Sequence, residues 1–188
     1  MSPTQDESGR VSDMRSSFEA SLPHRVRRAS GVKLQLIIPA HWFAAAASEC
    51  ASMYIAGFFY GAVSVAQAYV EALSLFLAEH HRTRIPSDAQ ERCKYLHREK
   101  IISAEALAAA LAILSDRNDF HHLNKQVTQD YEKLEARAGE CINHLHTIES
   151  EVFAYSIGEE PGKVALNKPE YWPSGGEGLA QVNLRQLW

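Results

Sequence analysis

Residues 57–78 read GFFYGAVSVAQAYVEALSLFLA, and this stretch decides the fold class. Its apolar side chains recur in alternating steps of four and three, which is the spacing of one buried face of an α-helix. These positions are Phe59, Val63, Ala66, Val70, Leu73 and Leu77. One residue further along, a polar line repeats the same steps at Tyr60, Ser64, Gln67, Glu71 and Ser74. The stretch therefore predicts a core helix whose polar edge either borders a cleft or faces water.

The same stretch is also long enough to span a membrane. Against that interpretation, Gln67 and Glu71 lie at its middle, where each would be costly in lipid. No apolar run follows the start of the chain in the way that an export signal would. We therefore expect a helix of a soluble bundle, in a cytoplasmic protein that has no membrane partner.

A second long helix is predicted towards the end of the bundle. Its apolar positions keep steps of four and three over Val127, Tyr131, Leu134, Ala138, Cys141, Leu145, Ile148, Val152 and Tyr155. Two shorter helices are predicted between the long ones. The first begins with the capping pair Ser87 and Gln90 and reaches about His97, and the second begins at Ser103 and reaches Leu114.

These four helices and an initial helix over about 39–56 account for residues 36–157. No stretch alternates convincingly between apolar and polar residues as a strand would. A chain of 188 residues fits one main domain with a core that needs neither disulfides nor a structural metal. The sequence thus predicts an all-α fold, a compact bundle of about five helices in which the two long helices are antiparallel.

Both ends of the chain are predicted to lie outside this bundle. Residues 1–35 are expected to form a flexible N-terminal arm, because they are rich in Ser, Arg, Asp and Pro and lack a sustained apolar period. Residues 158–188 are expected to form an irregular tail, because Pro and Gly interrupt any helix there. Trp172 and Trp188 in this tail are candidates to dock on the bundle or to serve a partner.

Charge and cysteine content limit the function classes. The formal net charge of -4 and the pI near 6.1 give no general attraction to polyanions, so nucleic-acid binding would need a local patch or a dimer cleft. Cys50, Cys93 and Cys141 are odd in number and far apart, which fits reduced thiols on apolar helix faces in a reducing cytoplasm. No ligand set has convincing metal spacing, so neither a bound metal nor a cofactor is expected.

The segment Asp116-Arg117-Asn118-Asp119-Phe120-His121-His122 carries the chemistry that stands out. It lies where two helical patterns meet. A guanidinium stays charged at cellular pH and can bind a phosphate with two hydrogen bonds, while an imidazole can transfer a proton near neutrality. The combination indicates phosphodiester cleavage. A structural alternative is that Arg117 forms a salt bridge at the helix junction and His122 caps a helix end.

An Arg followed by a His after four residues is weakly specific by itself. The pair Arg92 and His97 has the same spacing, and Arg137 and His144 satisfy a looser version. Arg117 is distinguished by Asn118 directly after it and by its place between a short apolar helix and the longest helix.

With this motif, the chain resembles the HEPN superfamily (higher eukaryotes and prokaryotes nucleotide-binding domain). Its ribonuclease members carry an Arg, a polar residue and then a His within a similar gap. The resemblance extends over roughly 39–156, with a long helix containing Ala68-Tyr69-Val70-Glu71-Ala72-Leu73 before the motif and a long helix after it. It implies a homodimer that cuts RNA without metal, through attack by the RNA's own 2′-hydroxyl, at a cleft between protomers.

The resemblance also implies roles for individual residues. Arg117 would stabilise the phosphate and the transition state, His122 would transfer protons, and Asn118 would orient the phosphate or the imidazole. Glu71 is a supporting candidate because polar residues of the earlier long helix often face such clefts, and Asp119 is a further one. His121 competes with His122, since it stands four residues after Arg117 and would share its face on an unbroken helix.

The chain departs from one branch of the family. HEPN toxins that pair with small nucleotidyltransferase antitoxins add a Tyr two positions after the His, where this chain has Asn124. That particular pairing is therefore disfavoured, although an antitoxin or activator of another kind remains a candidate partner.

Two functions from different classes remain open. The first is an endoribonuclease in RNA restriction, such as phage defence or a toxin role, with weaker RNA contacts from Arg82, Arg84 and Lys125. The second is a non-catalytic helical module that binds RNA, a nucleotide or a protein. The basic stretch over 80–100 could contact phosphates, but the sequence favours a solvated helix end and loop partly neutralised by Asp88, Glu91 and Glu99.

Overall fold

The computed structural model of the protein describes residues 5–35, 37–38, 41–82, 85–122, 124–125, 127, 129–157, 164–172 and 183–184. In these ranges the chain forms seven α-helices, one 3-10 helix over Pro169–Tyr171 and four very short strands. The helices are α1 Gln5–Gly31, α2 His41–Ala56, α3 Phe59–His80, α4 Ala89–Arg98, α5 Ala104–Leu114, α6 Arg117–His121 and α7 Tyr131–Val152. The strands are β1 Ile37–Ile38, β2 Tyr155–Ile157, β3 Val164–Leu166 and β4 Asn183–Leu184. The expected all-α bundle is confirmed.

Helix α3 is the centre of the bundle. All six of its predicted apolar positions are buried, at Phe59, Val63, Ala66, Val70, Leu73 and Leu77. It packs against α2, α4, α5 and α7. By length and composition it is also apolar enough to cross a membrane, and 56% of its apolar 18-residue stretch is buried inside the protein.

The two long helices, α3 and α7, run in the same direction rather than antiparallel as expected. Their first residues meet, because the rings of Phe59 and Tyr131 lie 4.7 Å apart. Further along both helices, the hydroxyl of Tyr69 donates to Glu149 at 2.6 Å. The physical reason is α5, whose last turn lies beside Gln67 and whose first turn meets α7 near its end, so that it runs opposite to both.

Side-chain caps set where three helices begin. Asp88 caps α4 by accepting from the N–H of Glu91 at 2.9 Å, so the cap lies one residue after the predicted Ser87. Ser103 caps α5 as expected, accepting from the N–H of Ala106. Asp130 caps α7, which explains why this helix begins at Tyr131 and not near residue 127.

Residues 5–31 form a helix where a flexible arm was expected. Along α1, every residue from Asp6 to Ala20 is exposed, so only the end of this helix docks on the bundle. There the side chain of Arg28 is 6% exposed. Its guanidinium donates to the carbonyl of Ile55 at 3.2 Å and lies over the ring of Phe59.

The C-terminal segment also contains more structure than the irregular tail that was expected. Strands β2 and β3 form an antiparallel hairpin, and β4 pairs antiparallel with β1 near the start of the bundle. Trp172 is buried, with its ring 6.5 Å from that of Phe153, so one of the two candidate tryptophans docks on the bundle. Trp188 lies outside the described residues.

The turn between α2 and α3 depends on Gly57. Its φ of +93° belongs to the left-handed region that residues with a Cβ rarely adopt. A Cβ at this position would lie 2.6 Å from the hydroxyl of Tyr131, which donates to the carbonyl of Gly57 at 3.0 Å. The turn therefore requires both the backbone freedom and the small size of glycine.

We expect Gly57→Ala to lower the free energy of unfolding by about 2 kcal/mol, since it adds left-handed strain and displaces Tyr131. Urea unfolding followed by circular dichroism measures this. Gly9→Ala is the matched control, because nothing lies within 4 Å of a Cβ there, and it should cause no loss. Equal stability of the two variants would contradict this account of the turn.

A cluster of histidine and tyrosine holds the C-terminal segment to the end of α3. Nε2 of His81 lies 2.7 Å from the hydroxyl of Tyr171, and the ring of His80 is 5.3 Å from the same tyrosine. Burial lowers the pKa of His81, His80 and Lys168 lower it further, and Glu170 opposes the shift. Burial raises the pKa of Tyr171 to about 12, so its hydroxyl stays protonated.

Because the folded protein favours neutral His81, its protonation below the unfolded pKa of about 6.5 should weaken the docking of this segment. The melting temperature should therefore decrease as the pH is lowered from about 7.5 to about 5.5. His81→Gln keeps a hydrogen-bonding side chain that does not titrate, and its melting temperature should fall less. An identical fall in both proteins would show that His81 does not contribute.

Candidate functional site

The polar edge of α3 is where the short helices attach. Four of its five predicted positions bind residues of α4, α6 or the segment before α6. The pairs are Tyr60 with the carbonyl of Phe120, Gln67 with Asp116, Glu71 with Arg117, and Ser74 with Arg92. Of these five positions, Glu71 lines a cavity, whereas Gln67 and Ser74 are buried under the attached elements.

Arg117 and Glu71 form an ion pair in the wall of a cavity. Nε and Nη2 of Arg117 lie 3.0 and 2.7 Å from the same carboxylate oxygen, Oε2. The side chains are 35% and 36% exposed, so water reaches both. Among the residues that the structure describes, Nη1 of Arg117 has no hydrogen-bond partner, and this nitrogen is available to a ligand.

Asp116 anchors the start of α6. Its carboxylate accepts from Nε of Arg137 at 2.9 Å, from Nη2 of Arg137 at 2.7 Å and from the amide of Gln67 at 2.9 Å. The hydrogen bond to Asp116 raises the pKa of Arg137. Arg137 also donates to the carbonyls of Ala112 and Ile113 at the end of α5. Helices α3, α5 and α7 thereby fix the residue that precedes Arg117.

Helix α6 is a single turn held from its apolar side. Phe120 is buried, with its ring 5.0 Å from that of Tyr60. After the turn, the amide of Asn124 donates to Asp119 at 2.9 Å. His121 and His122 are both exposed at the end of the turn, and the N–H of His122 donates to the carbonyl of Asn118.

The cavity beside α6 has a volume of about 360 Å³ and contains part of the expected site. Arg117, Asn118, Glu71 and Asp119 line it, whereas neither histidine does. The lining contains four acidic residues, Glu71, Asp88, Asp116 and Asp119, and one basic residue, Arg117. A wider groove of about 610 Å³ adjoins it and shares Ser87 and Asp88.

The two histidines stand in different positions relative to the cavity residues. His121 is four residues after Arg117 within α6, and His122 is four residues after Asn118 across the helix end. Residues four apart share a helix face, so His121 lies on the face of Arg117 and His122 on the face of Asn118.

The structure separates Arg117 from the two rival motifs. The side chain of Arg92 is 4% exposed and donates to Ser74 and to the carbonyls of Pro86, Ser87 and Glu71. Arg137 is 17% exposed and forms an ion pair with Asp116. Both are structural residues, so Arg117 is the motif arginine with solvent access.

Two of the weaker RNA-binding candidates, Arg82 and Lys125, are exposed, and neither is among the described residues that line the cavity. Arg84 lies outside the described residues.

Neither thiol chemistry nor metal binding is supported by the part of the chain that the structure describes. The thiols of Cys50, Cys93 and Cys141 are buried, and burial raises the pKa of Cys93 to about 11 and that of Cys141 to about 12. Cys93 and Cys141 are therefore protonated, and all three thiols are inaccessible. No group of three or more His, Cys, Asp or Glu residues within the described ranges is arranged to hold a metal ion.

Sequence reasoning missed the network around Asp116. A usable signal was present, because Gln67 lies one helical turn before Glu71 on the polar line, just as Asp116 directly precedes Arg117. Gln67 and Glu71, which are neighbours on the polar line of α3, thus contact Asp116 and Arg117, which are neighbours at the start of α6.

No family model, curated protein or solved structure matches this chain.

We expect Asp116→Asn to lower the free energy of unfolding by about 1.5–3 kcal/mol, the usual value of charge-assisted hydrogen bonds, because it weakens three bonds at once. Urea unfolding again measures the change. Glu140→Gln removes the same charge from an exposed position of α7 and should change stability by less than about 0.5 kcal/mol. Similar losses in both variants would show that the network contributes nothing beyond charge.

Proposed function

We propose that the protein is a metal-independent endoribonuclease of the HEPN type, acting in RNA restriction such as phage defence or a toxin role. The proposal rests mainly on one observation, the position of Arg117. This arginine is held by Glu71 in a cavity wall beside Asn118, with two exposed histidines within one turn. Arg92 and Arg137, the arginines of the two rival motifs, are held in structural roles. Arg117 is therefore the motif arginine whose guanidinium solvent can reach.

The proposed reaction needs only groups that this segment carries. One imidazole removes the proton of the RNA 2′-hydroxyl, whose oxygen attacks the neighbouring phosphorus. The P–O bond to the 5′-oxygen breaks, and a second imidazole returns a proton to that leaving oxygen. The guanidinium of Arg117 stabilises the negative charge that accumulates on the phosphorane. The products are a 2′,3′-cyclic phosphate and a free 5′-hydroxyl.

The charge of the cavity bears on how RNA would approach. Four carboxylates and one guanidinium line it, so a single protomer does not attract a polyanion there. We propose that RNA binds along the exposed end of α6, where His121 and His122 lie, and that a homodimer supplies the second Arg and His. Cytoplasmic RNA is the proposed partner, with an antitoxin or activator protein to control it.

The test is cleavage of mixed cellular RNA by the purified full chain in excess chelator. Wild type should produce fragments with 5′-hydroxyl ends, which polynucleotide kinase labels without prior phosphatase treatment. Arg117→Ala should reduce the rate at least about 100-fold, since it removes the charge that meets the phosphorane. His121→Ala and His122→Ala, tested separately, identify the working histidine by a comparable loss.

Glu71→Gln tests how Arg117 is held, because it keeps a hydrogen-bond acceptor but removes the charge that pairs with the guanidinium. It should lower the rate less than Arg117→Ala does. Arg27→Ala is the matched control, since this arginine is 66% exposed on α1 and its contact with Glu135 is long, at 3.5 Å. Equal activity of folded Arg117→Ala and wild type would refute the proposed role of the arginine.

The acidic lining favours a second candidate, a non-catalytic module that binds a cationic or neutral partner at this cavity. In that case Arg117 would position Glu71 rather than bind phosphate. RNA would then stay intact under all conditions, while Glu71→Gln and Arg117→Ala would both weaken partner binding without loss of fold.

A further inference from the structure

Helix α1 carries an apolar stripe that nothing else in the described structure covers. Its large side chains follow steps of three, four, four and four residues, the spacing of one helix face. They are Val11, Met14, Phe18, Leu22 and Val26, with exposed fractions of 56%, 74%, 49%, 43% and 56%. The stripe extends over about 22 Å of helix, at 1.5 Å per residue.

This helix also has little to stabilise it on its own. Between Asp6 and Ala20 every residue is exposed, so tertiary contacts do not support that part of the helix. Its sequence includes Gly9, Pro23 and six serines, all of which favour helix interiors poorly. Isolated helices of such composition are marginal in water, and their stability in proteins comes mostly from covering an apolar face.

We propose that α1 pairs antiparallel with α1 of a second copy of this chain, with Phe18 on the two-fold axis. The spacing of the stripe is nearly symmetric about this residue. Met14 and Leu22 stand four residues on either side of it, and Val11 and Val26 stand seven and eight residues away. Antiparallel pairing therefore brings Met14 against Leu22 and Val11 against Val26 of the second copy, twice.

The charges of α1 select this direction. Asp6 and Glu7 lie in its first turn, whereas Arg25 and Arg27 lie near its end; Arg28 is buried against the bundle and takes no part. Parallel pairing would bring like charges together at both ends, while antiparallel pairing brings opposite charges together.

A second charge pattern flanks the centre of the stripe. Arg15 and Glu19 lie on the same side of the stripe, just before and just after Phe18. In an antiparallel pair, residues on one flank meet the same flank of the partner helix. Arg15 of each copy then lies opposite Glu19 of the other, which gives two complementary pairs.

The charge balance argues against a lipid surface as the occupant. From Asp6 to Arg28 the helix carries four carboxylates and five arginines, which leaves almost no net charge. Amphipathic helices that bind anionic membranes instead carry an excess of Lys and Arg on the polar face. A surface with the same mixture of both charges, such as a second copy, is the better complement.

The first test is a charge exchange in the full chain, with association measured by analytical ultracentrifugation. Arg15→Glu and Glu19→Arg each place two like-charged pairs across the interface and should raise the dissociation constant about tenfold. The double variant Arg15→Glu with Glu19→Arg should restore wild-type association. An equimolar mixture of the two single variants should form heterodimers.

The second test concerns the apolar stripe. Met14→Glu with Phe18→Glu should give a monomer whose bundle still melts as wild type, because this part of α1 does not touch the bundle. Ser16→Glu with Ala20→Glu adds the same charge on the opposite face and should leave the dimer intact. Loss of association in both double variants would overturn the assignment of the face.

The orientation is tested by disulfide formation, since the native cysteines are buried. In the Phe18→Cys variant, the new cysteines of the two copies should form a disulfide with each other. In the Val11→Cys variant they should not. A cross-link at Val11→Cys would overturn the antiparallel arrangement.

A monomeric wild-type chain at about 100 μM would overturn the proposal, since a dissociation constant above that value corresponds to less than about 5.5 kcal/mol of association. So would a dimer that all the α1 variants leave unchanged, because its interface would then lie elsewhere. A monomer that binds phosphatidylserine vesicles through the stripe would assign the face to a membrane. The α1 pairing uses none of the residues proposed for cleavage, and its tests measure association and not ribonuclease activity.

Discussion

The carboxylate of Asp116 is the point at which the bundle and the candidate site depend on each other. It accepts three hydrogen bonds, one from Gln67 of α3 and two from Arg137 of α7. Because Asp116 directly precedes α6, these bonds determine where the short helix begins and where Arg117 points. The ion pair with Glu71 and the burial of Phe120 then complete the orientation of this single turn. A helix of five residues has little stability of its own, so its geometry is supplied by its neighbours.

Much of this arrangement was predictable from periodicity. The apolar stripe of α3 is buried as expected, and the polar line beside it attaches the short helices, because helical spacing alone decides which residues share a face. The relative direction of α3 and α7 was not predictable in the same way, since it depends on the course of α5 between them. The network around Asp116 joins residues 49 and 21 positions apart, and no local pattern encodes such distant pairs.

The ends of the chain show a different reason for failure. The stripe of α1 consists of single large residues separated by serines and charges, so average composition suggested disorder although the spacing is helical. In the C-terminal segment, the strands are only two or three residues long. Strands this short carry no alternation that a sequence could display, and β4 pairs with β1 at a distance of about 146 residues along the chain. Backbone pairing of this kind is encoded by the whole fold and not by the segment.

The buried guanidinium of Arg92 has a consequence for how this protein can vary during evolution. It binds the Ser74 hydroxyl and three backbone carbonyls, and none of these bonds involves a carboxylate. Since carbonyls are present whatever the side chain, the side chains of Pro86 and Ser87 can change without loss of these bonds, whereas Arg92 cannot. Lysine could not replace it, because an ammonium lacks the planar, forked set of donors. Purifying selection should therefore act more strongly on this one position of α4 than on the two loop residues whose carbonyls it binds.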